Sequence, residues 1–231
     1  MSKMFTYNGS RMSTWNIFTG CGVNGEGFCK YCWARKLIET RLKDTTKYKE
    51  CGFKPAVHLK EFDRKFKSNE WVFISSMGDL AFAPNYVYAH IFETATKYPQ
   101  TNFLMCTKSP KFYKTHFMPL PNLYFGATIE TNRDTSKFSK APTTEYRYNV
   151  MRELHNYKKM LSLEPLMDFD HATLMSWITE INPKIVEVGI DNYHVGLPEP
   201  SAEKITNLIK SIKMIGIEVI QKDGLIRILK T

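Results

Sequence analysis

The sequence predicts an α/β protein built as a partial (β/α)6, TIM-like barrel with mostly parallel strands. Three observations carry that expectation. Strand-length apolar runs recur along the chain, several nearly continuous in apolar residues, as strands buried on both faces are. Amphipathic stretches with helical spacing separate them, the alternation of parallel βαβ units. Polar or ionisable residues stand at the end of one apolar run after another, where the strands of a parallel barrel share one face. A doubly wound open sheet is the competing architecture.

Taken in order, the expected strands are Thr14–Thr19, Trp71–Ser75, Asn102–Cys106, Leu123–Thr128, Lys159–Leu163, Ile185–Gly189 and Ile217–Gln221. Between the second and third, Val87, Ile91, Ala95 and Tyr98 fall on one helical face. Before the last, Ile205, Leu208, Ile209 and Ile212 repeat at i, i+3, i+4 and i+7, with Ser201 placed to cap that helix. Lys222-Asp223-Gly224 reads as the turn of a terminal hairpin. No repeat, low-complexity stretch or linker divides the 231 residues, so one domain is expected, with a basic insertion at about 35–70.

Composition narrows the function. Hydrophobic residues make up 43% and charged residues 24%, enough apolar material for a core. No apolar run approaches the ~18 residues of a membrane helix, and the polar start Met1–Arg11 does not resemble a signal peptide. A cytoplasmic protein with no membrane partner is expected. Five cysteines in such a compartment point to metal binding rather than disulfides. The net charge is +9, and residues 30–68 supply +7 of it through twelve Lys or Arg against five Asp or Glu. Trp33, Tyr48, Phe53, Phe62 and Phe66 are interleaved there, a composition suited to RNA or DNA. The plainer reading is a solvated face whose aromatics point into the core.

Cys21-x7-Cys29-x2-Cys32 follows the first expected strand directly, with Gly20, Gly22, Gly25 and Gly27 in and beside the loop. Structural zinc wants four ligands, so a zinc-stabilised nucleic-acid-binding module would recruit Cys51, His58 or a distant group. An electron-transfer cluster would recruit Cys51, since most iron–sulfur clusters take four cysteines. Three cysteines alone would leave one iron open to a cofactor or substrate. Cys106 reads as a small buried hydrophobe, with a redox-active thiol as the alternative.

The aromatic in Cys29-Lys30-Tyr31-Cys32 resembles the radical S-adenosylmethionine (SAM) superfamily, whose usual spacing is C-x3-C-x2-C; the seven-residue first interval departs from it. The chain also resembles a family of small phage-associated radical-SAM-like proteins. The matching segments are Thr14-Trp15-Asn16 to Gly20-Cys21, Cys29 to Ala34, Ser76-Met77-Gly78-Asp79-Leu80, Leu120 to Glu130, and Leu161 to Leu166.

That resemblance implies a [4Fe–4S] cluster on Cys21, Cys29 and Cys32, with SAM chelated at the open iron. Reductive cleavage of SAM would yield a 5′-deoxyadenosyl radical that abstracts hydrogen from a substrate. An electron donor such as flavodoxin or ferredoxin is implied as a partner. By position, Ser75, Ser76 and Asp79 would hold SAM's amino group. Lys108 or Arg133 would meet its carboxylate, and Glu130 a ribose or ammonium. Glu164, Asp191, Asn192 and Lys222 end later strands and are candidates for substrate contact. Tyr193 and His194 follow them.

Overall fold

The computed structural model describes residues 6–7 and 10–229, which excludes most of Met1–Arg11. Seven strands form one sheet: β1 (Ser13–Trp15), β2 (Trp71–Ile74), β3 (Asn102–Thr107), β4 (Leu123–Thr128), β5 (Lys158–Leu163), β6 (Ile185–Val188) and β7 (Glu218–Gln221). They lie side by side in chain order, each parallel to the next. A doubly wound sheet must reverse its strand order at a switch point. This one never reverses. It curls into a half-barrel, one strand beyond six βα units.

The crossovers carry α1 (Trp33–Leu37), α2 (Asn85–Lys97), α3 (Phe112–His116), α4 (Thr144–Arg152), α5 (His171–Ile181) and α6 (Ala202–Met214). Apolar periodicity explains the longer ones. Helix α2 buries Val87, Ile91 and Ala95, and α6 buries Ile205, Leu208, Ile209 and Ile212. The Ser201 hydroxyl accepts the Lys204 N–H at 3.2 Å and caps α6. An αL residue, Asn182, ends α5.

The period-two alternation of the strands divides two environments. One face sends Val72, Ile74, Phe103, Met105, Phe125, Leu161, Leu163, Val186 and Val188 into the main core beneath the helices. The other carries an apolar floor that includes Leu104, Met160, Ile185 and Phe73. Above that floor, the strand ends turn polar.

Two local expectations change. The first strand stops at Trp15, and Phe18–Thr19 instead pairs antiparallel with Ala56–Val57. After β7 the chain enters a short helical turn, Asp223–Leu225, and a final helix, Ile226–Leu229, rather than a hairpin. Gly224 does not take the positive φ that a tight Asp-Gly hairpin turn needs. Strand β7 already has its parallel partner in β6. No described helix is long and apolar enough to cross a membrane.

Candidate active site

At the C-terminal ends of the strands lies a cavity of about 540 Å³, a size that holds one drug-sized ligand. Its wall includes Cys21, Cys29 and Cys32, from the loop after β1, and Glu164, Asp191, Asn192 and Lys222, from the ends of β5, β6 and β7. Ser75, Ser76, Asp79 and Lys108 also line it. Phe73 and Met160 form part of the floor, and Trp33, Leu37 and Phe53 part of the remaining wall.

Close backbone contacts hold the cysteine loop over the sheet. Gly20 (φ +89°) bridges to Gly78, and a Cβ on Gly78 would sit 2.6 Å from the Gly20 backbone. Only glycine permits that approach. Asn16 Oδ1 accepts the Ser76 hydroxyl at 3.1 Å and the Met77 N–H at 3.2 Å, joining two of the motif segments. Farther along, Lys30 N–H donates to Phe138 O and Lys140 N–H to Phe28 O. Cys29 Sγ lies 3.3 Å from Ser139 Oγ, and Cys32 Sγ accepts the Arg35 N–H at 3.4 Å as the cap of α1.

A buried charge hub stands behind the loop. Glu130 and Arg147 are both fully buried and pair at 2.8 Å. Lys108 pairs with the same carboxylate, and Tyr31, between the last two cysteines, donates its hydroxyl to it at 2.5 Å. Burial alone would raise the Glu130 carboxyl, but Arg147 and Lys108 outweigh it and hold the group at about 2. Glu130 therefore anchors the cysteine loop from behind the cavity wall.

Asp79 is also committed. Its carboxylate accepts the Ala81 N–H (3.0 Å), the Thr107 hydroxyl (2.5 Å) and the Lys108 N–H (3.0 Å). Ser75, in the left-handed region at φ +53°, accepts the Phe18 N–H at 3.3 Å. Arg133 lies outside the cavity wall, paired with Asp168 and 54% exposed. Asp191 receives the Tyr193 and Val195 N–H groups and shapes its own loop.

Of the interleaved aromatics, Tyr48, Phe53 and Phe66 are buried and Phe62 packs on His90, leaving Trp33 half-exposed at the cavity. The rings of Tyr48, Phe53 and Phe66 thus turn inward, while Lys30, Lys36, Arg41 and other charged side chains of residues 30–68 are exposed. Cys106 lines the cavity rather than the core, and burial pushes its thiol up to about 12.

Tyr31 stood out in the sequence only as the aromatic of the cysteine motif, and Ser139, Arg147 and Glu187 were not singled out. Glu187 had a signal, a lone acid in an apolar strand at the cavity-facing phase of the alternation. For Arg147 the sequence holds none.

Burial holds the Cys21 and Cys32 thiols above their ordinary value, so binding metal here would release protons. Among the described residues no three His, Cys, Asp or Glu side chains converge as ligands of a single metal ion. Cys51 donates its thiol to Lys47 O at 3.3 Å, and His58 Nε2 sits 2.7 Å from Thr19 Oγ1. Neither lines the cavity. The donor set is three thiols from one loop lining the cavity, one fewer than a structural zinc site takes, and it fits a cluster with one iron left open.

The model of a family described as "Protein of unknown function (DUF5131)" matches residues 10–191. In fold the chain is similar to a solved structure of a spore photoproduct lyase Y98F mutant, with a TM-score of 0.58. Identity is 10%, over 90% of this chain and 75% of that one. No curated protein matches in sequence.

Proposed function

We propose that this chain, which belongs to the DUF5131 family, is a radical SAM enzyme with a [4Fe–4S] cluster held by Cys21, Cys29 and Cys32. One observation carries the reading. Five motif segments spread between residues 14 and 166 supply Cys21, Cys29, Cys32, Ser76, Asp79, Thr128 and Glu164 to a single cavity at the strand ends. When bound, the cluster and SAM supply a one-electron reductive cleavage and a carbon radical able to take hydrogen from a C–H bond.

The chain's own residues do the rest. The Tyr31–Glu130–Arg147 contacts hold the cysteine loop in place. Lys108, beside Glu130, brings positive charge to the side where SAM's carboxylate would lie. Ser75 and Ser76 offer hydroxyls nearby. Phe73, Met160, Trp33 and Phe53 keep water from the reacting groups. An external donor such as flavodoxin or ferredoxin supplies the electron.

The test is anaerobic reconstitution with iron and sulfide, then dithionite and SAM with chromatography for 5′-deoxyadenosine. A brown protein that forms 5′-deoxyadenosine is expected. A colourless protein, or a brown one that leaves SAM intact, would sink the proposal.

A further inference from the structure

A second, smaller pocket of about 170 Å³ adjoins the cavity at the cysteine loop. Tyr31, Cys32 and Tyr193 line both, so these side chains stand between the two spaces. Lys30, Arg35, Lys36, Glu39 and Val195 complete the smaller pocket, three cations to one carboxylate. Arg35 meets that carboxylate at 3.9 Å and donates to the Glu26 carbonyl at 2.6 Å. Lys30 and Lys36 are exposed, and the Lys36 ammonium lies 4.6 Å from the Tyr193 ring centre. Two more exposed lysines, Lys137 and Lys140, flank Ser139, the residue that bridges antiparallel to Cys29. Tyr193 and Val195 are exposed among these cations. An apolar, aromatic centre within a charged rim is the anatomy of a protein interface.

The position of this patch matters as much as its charge. A cluster on Cys21, Cys29 and Cys32 needs an electron from outside for each SAM cleaved. Electron transfer falls off steeply with distance, so a carrier must dock where a ligating thiol comes nearest the surface. Cys21 and Cys29 are buried and Cys32 is less so. With SAM and substrate in the cavity, the approach left to a carrier is the basic pocket on the other side of Cys32. Its exposed cations select an acidic partner.

We propose that this pocket and its rim are the docking face for an acidic one-electron carrier protein of the flavodoxin or ferredoxin type. Lys30 and Lys36 hold the carrier by charge, and Tyr193 and Val195 form the apolar centre. One electron leaves the reduced carrier and enters the cluster, and no bond forms or breaks in that step. The proposal rests on the radical SAM reading and deepens it by assigning the partner's site.

The first readout is binding. An acidic flavodoxin and an acidic ferredoxin are titrated into the reconstituted protein by anaerobic calorimetry at low and high salt. At least one is expected to bind, and more weakly as salt screens the cations. Lys30→Glu with Lys36→Glu should weaken that binding at least about tenfold. Lys67→Glu with Lys97→Glu removes as much charge at the other ends of the strands, before β2 and β3, and should leave binding within about twofold. The second readout is SAM cleavage. Driven by the carrier, it should fall in the first pair alone; driven by dithionite, which needs no docking face, it should match wild type in both pairs. Should the first pair lose iron, Lys30→Gln with Lys36→Gln replaces it, with a smaller loss of carrier binding in the same direction.

No binding of either carrier, equal losses in the two charge-reversal pairs, or an equal loss of dithionite-driven and carrier-driven cleavage would overturn the proposal. So would lost binding of a single-stranded oligonucleotide in the first pair with carrier binding intact, which would make the patch a nucleic-acid surface. Carrier binding that depends on Lys30 and Lys36, without 5′-deoxyadenosine under dithionite, sinks the radical SAM assignment and leaves the docking face. SAM cleavage under dithionite, with carrier binding unmoved by the first pair, does the reverse.

Discussion

The two walls of the cavity use charge in opposite ways. Beside the cysteine loop, Glu130 meets two cations and a tyrosine hydroxyl, and Asp79 accepts three donors. Glu130's capacity goes into holding the loop through Tyr31, and Asp79's into tying the segment after β2 to the end of β3. At the ends of β5, β6 and β7, Glu164 and Glu187 share Lys222, and the carboxyl seated over Gly189 is left with a proton near neutral pH. Glu130 and Asp79 are saturated by the protein's own groups, whereas Glu164 keeps a proton near neutral pH. Polar residues at strand ends are therefore not one class of site residue, since a carboxylate with surplus partners is a structural anchor.

The largest expected effect separates the cysteines. Cys21→Ala, Cys29→Ala or Cys32→Ala should each lower iron after reconstitution by more than about tenfold, whereas Cys51→Ala should retain it. Iron and sulfide assays check this, and full retention in any one of the three would break the triad.

Next comes the saturated wall. Glu130→Gln leaves two cations without their carboxylate, and breaking a buried pair in this way costs about 3–5 kcal/mol. Urea unfolding should show that loss. Wild-type Glu130 sits below its ordinary 4.5, so its contribution is complete above pH 4.5 and is lost as pH falls toward about 2. The variant should lack that acid limb.

The Glu164 wall should respond to pH with the opposite sign. Glu164 sits above its ordinary 4.5, so the native state keeps a proton that the unfolded chain gives up. Stability should fall as pH rises from about 4.5 to about 7. Glu164→Gln should flatten that slope in urea titrations across the range. An unchanged slope would erase the contrast between the walls. The smallest effect is expected outside the cavity, where Arg133→Ala removes an exposed pair with Asp168 and should change stability by less than about 1 kcal/mol.

Much of this was legible before the fold. Near-continuous apolar runs marked the seven strands, the first of them running on past Trp15, because burial on a sheet is imposed residue by residue along the chain. Ser201 and the apolar stripe of α6 were readable for the same reason. The cysteine loop stood out because its three thiols lie within twelve residues, with glycines among them. The hairpin at Asp223-Gly224 was misread because the residues permit a turn, while the parallel pairing of β7 with β6 and the space taken by Asn192 decide against it.

The sequence by itself determined the alternation of strands and helices, the polar strand ends and the clustering of three thiols, all of them short-range properties. Only the tertiary structure decided which strand-end residues share a cavity, that Arg133 turns to Asp168 while Lys108 faces inward, and that Glu130 is held by an arginine seventeen residues away. Partner choice depends on distances across the curled sheet and on which charges lose their water together. No local pattern encodes either.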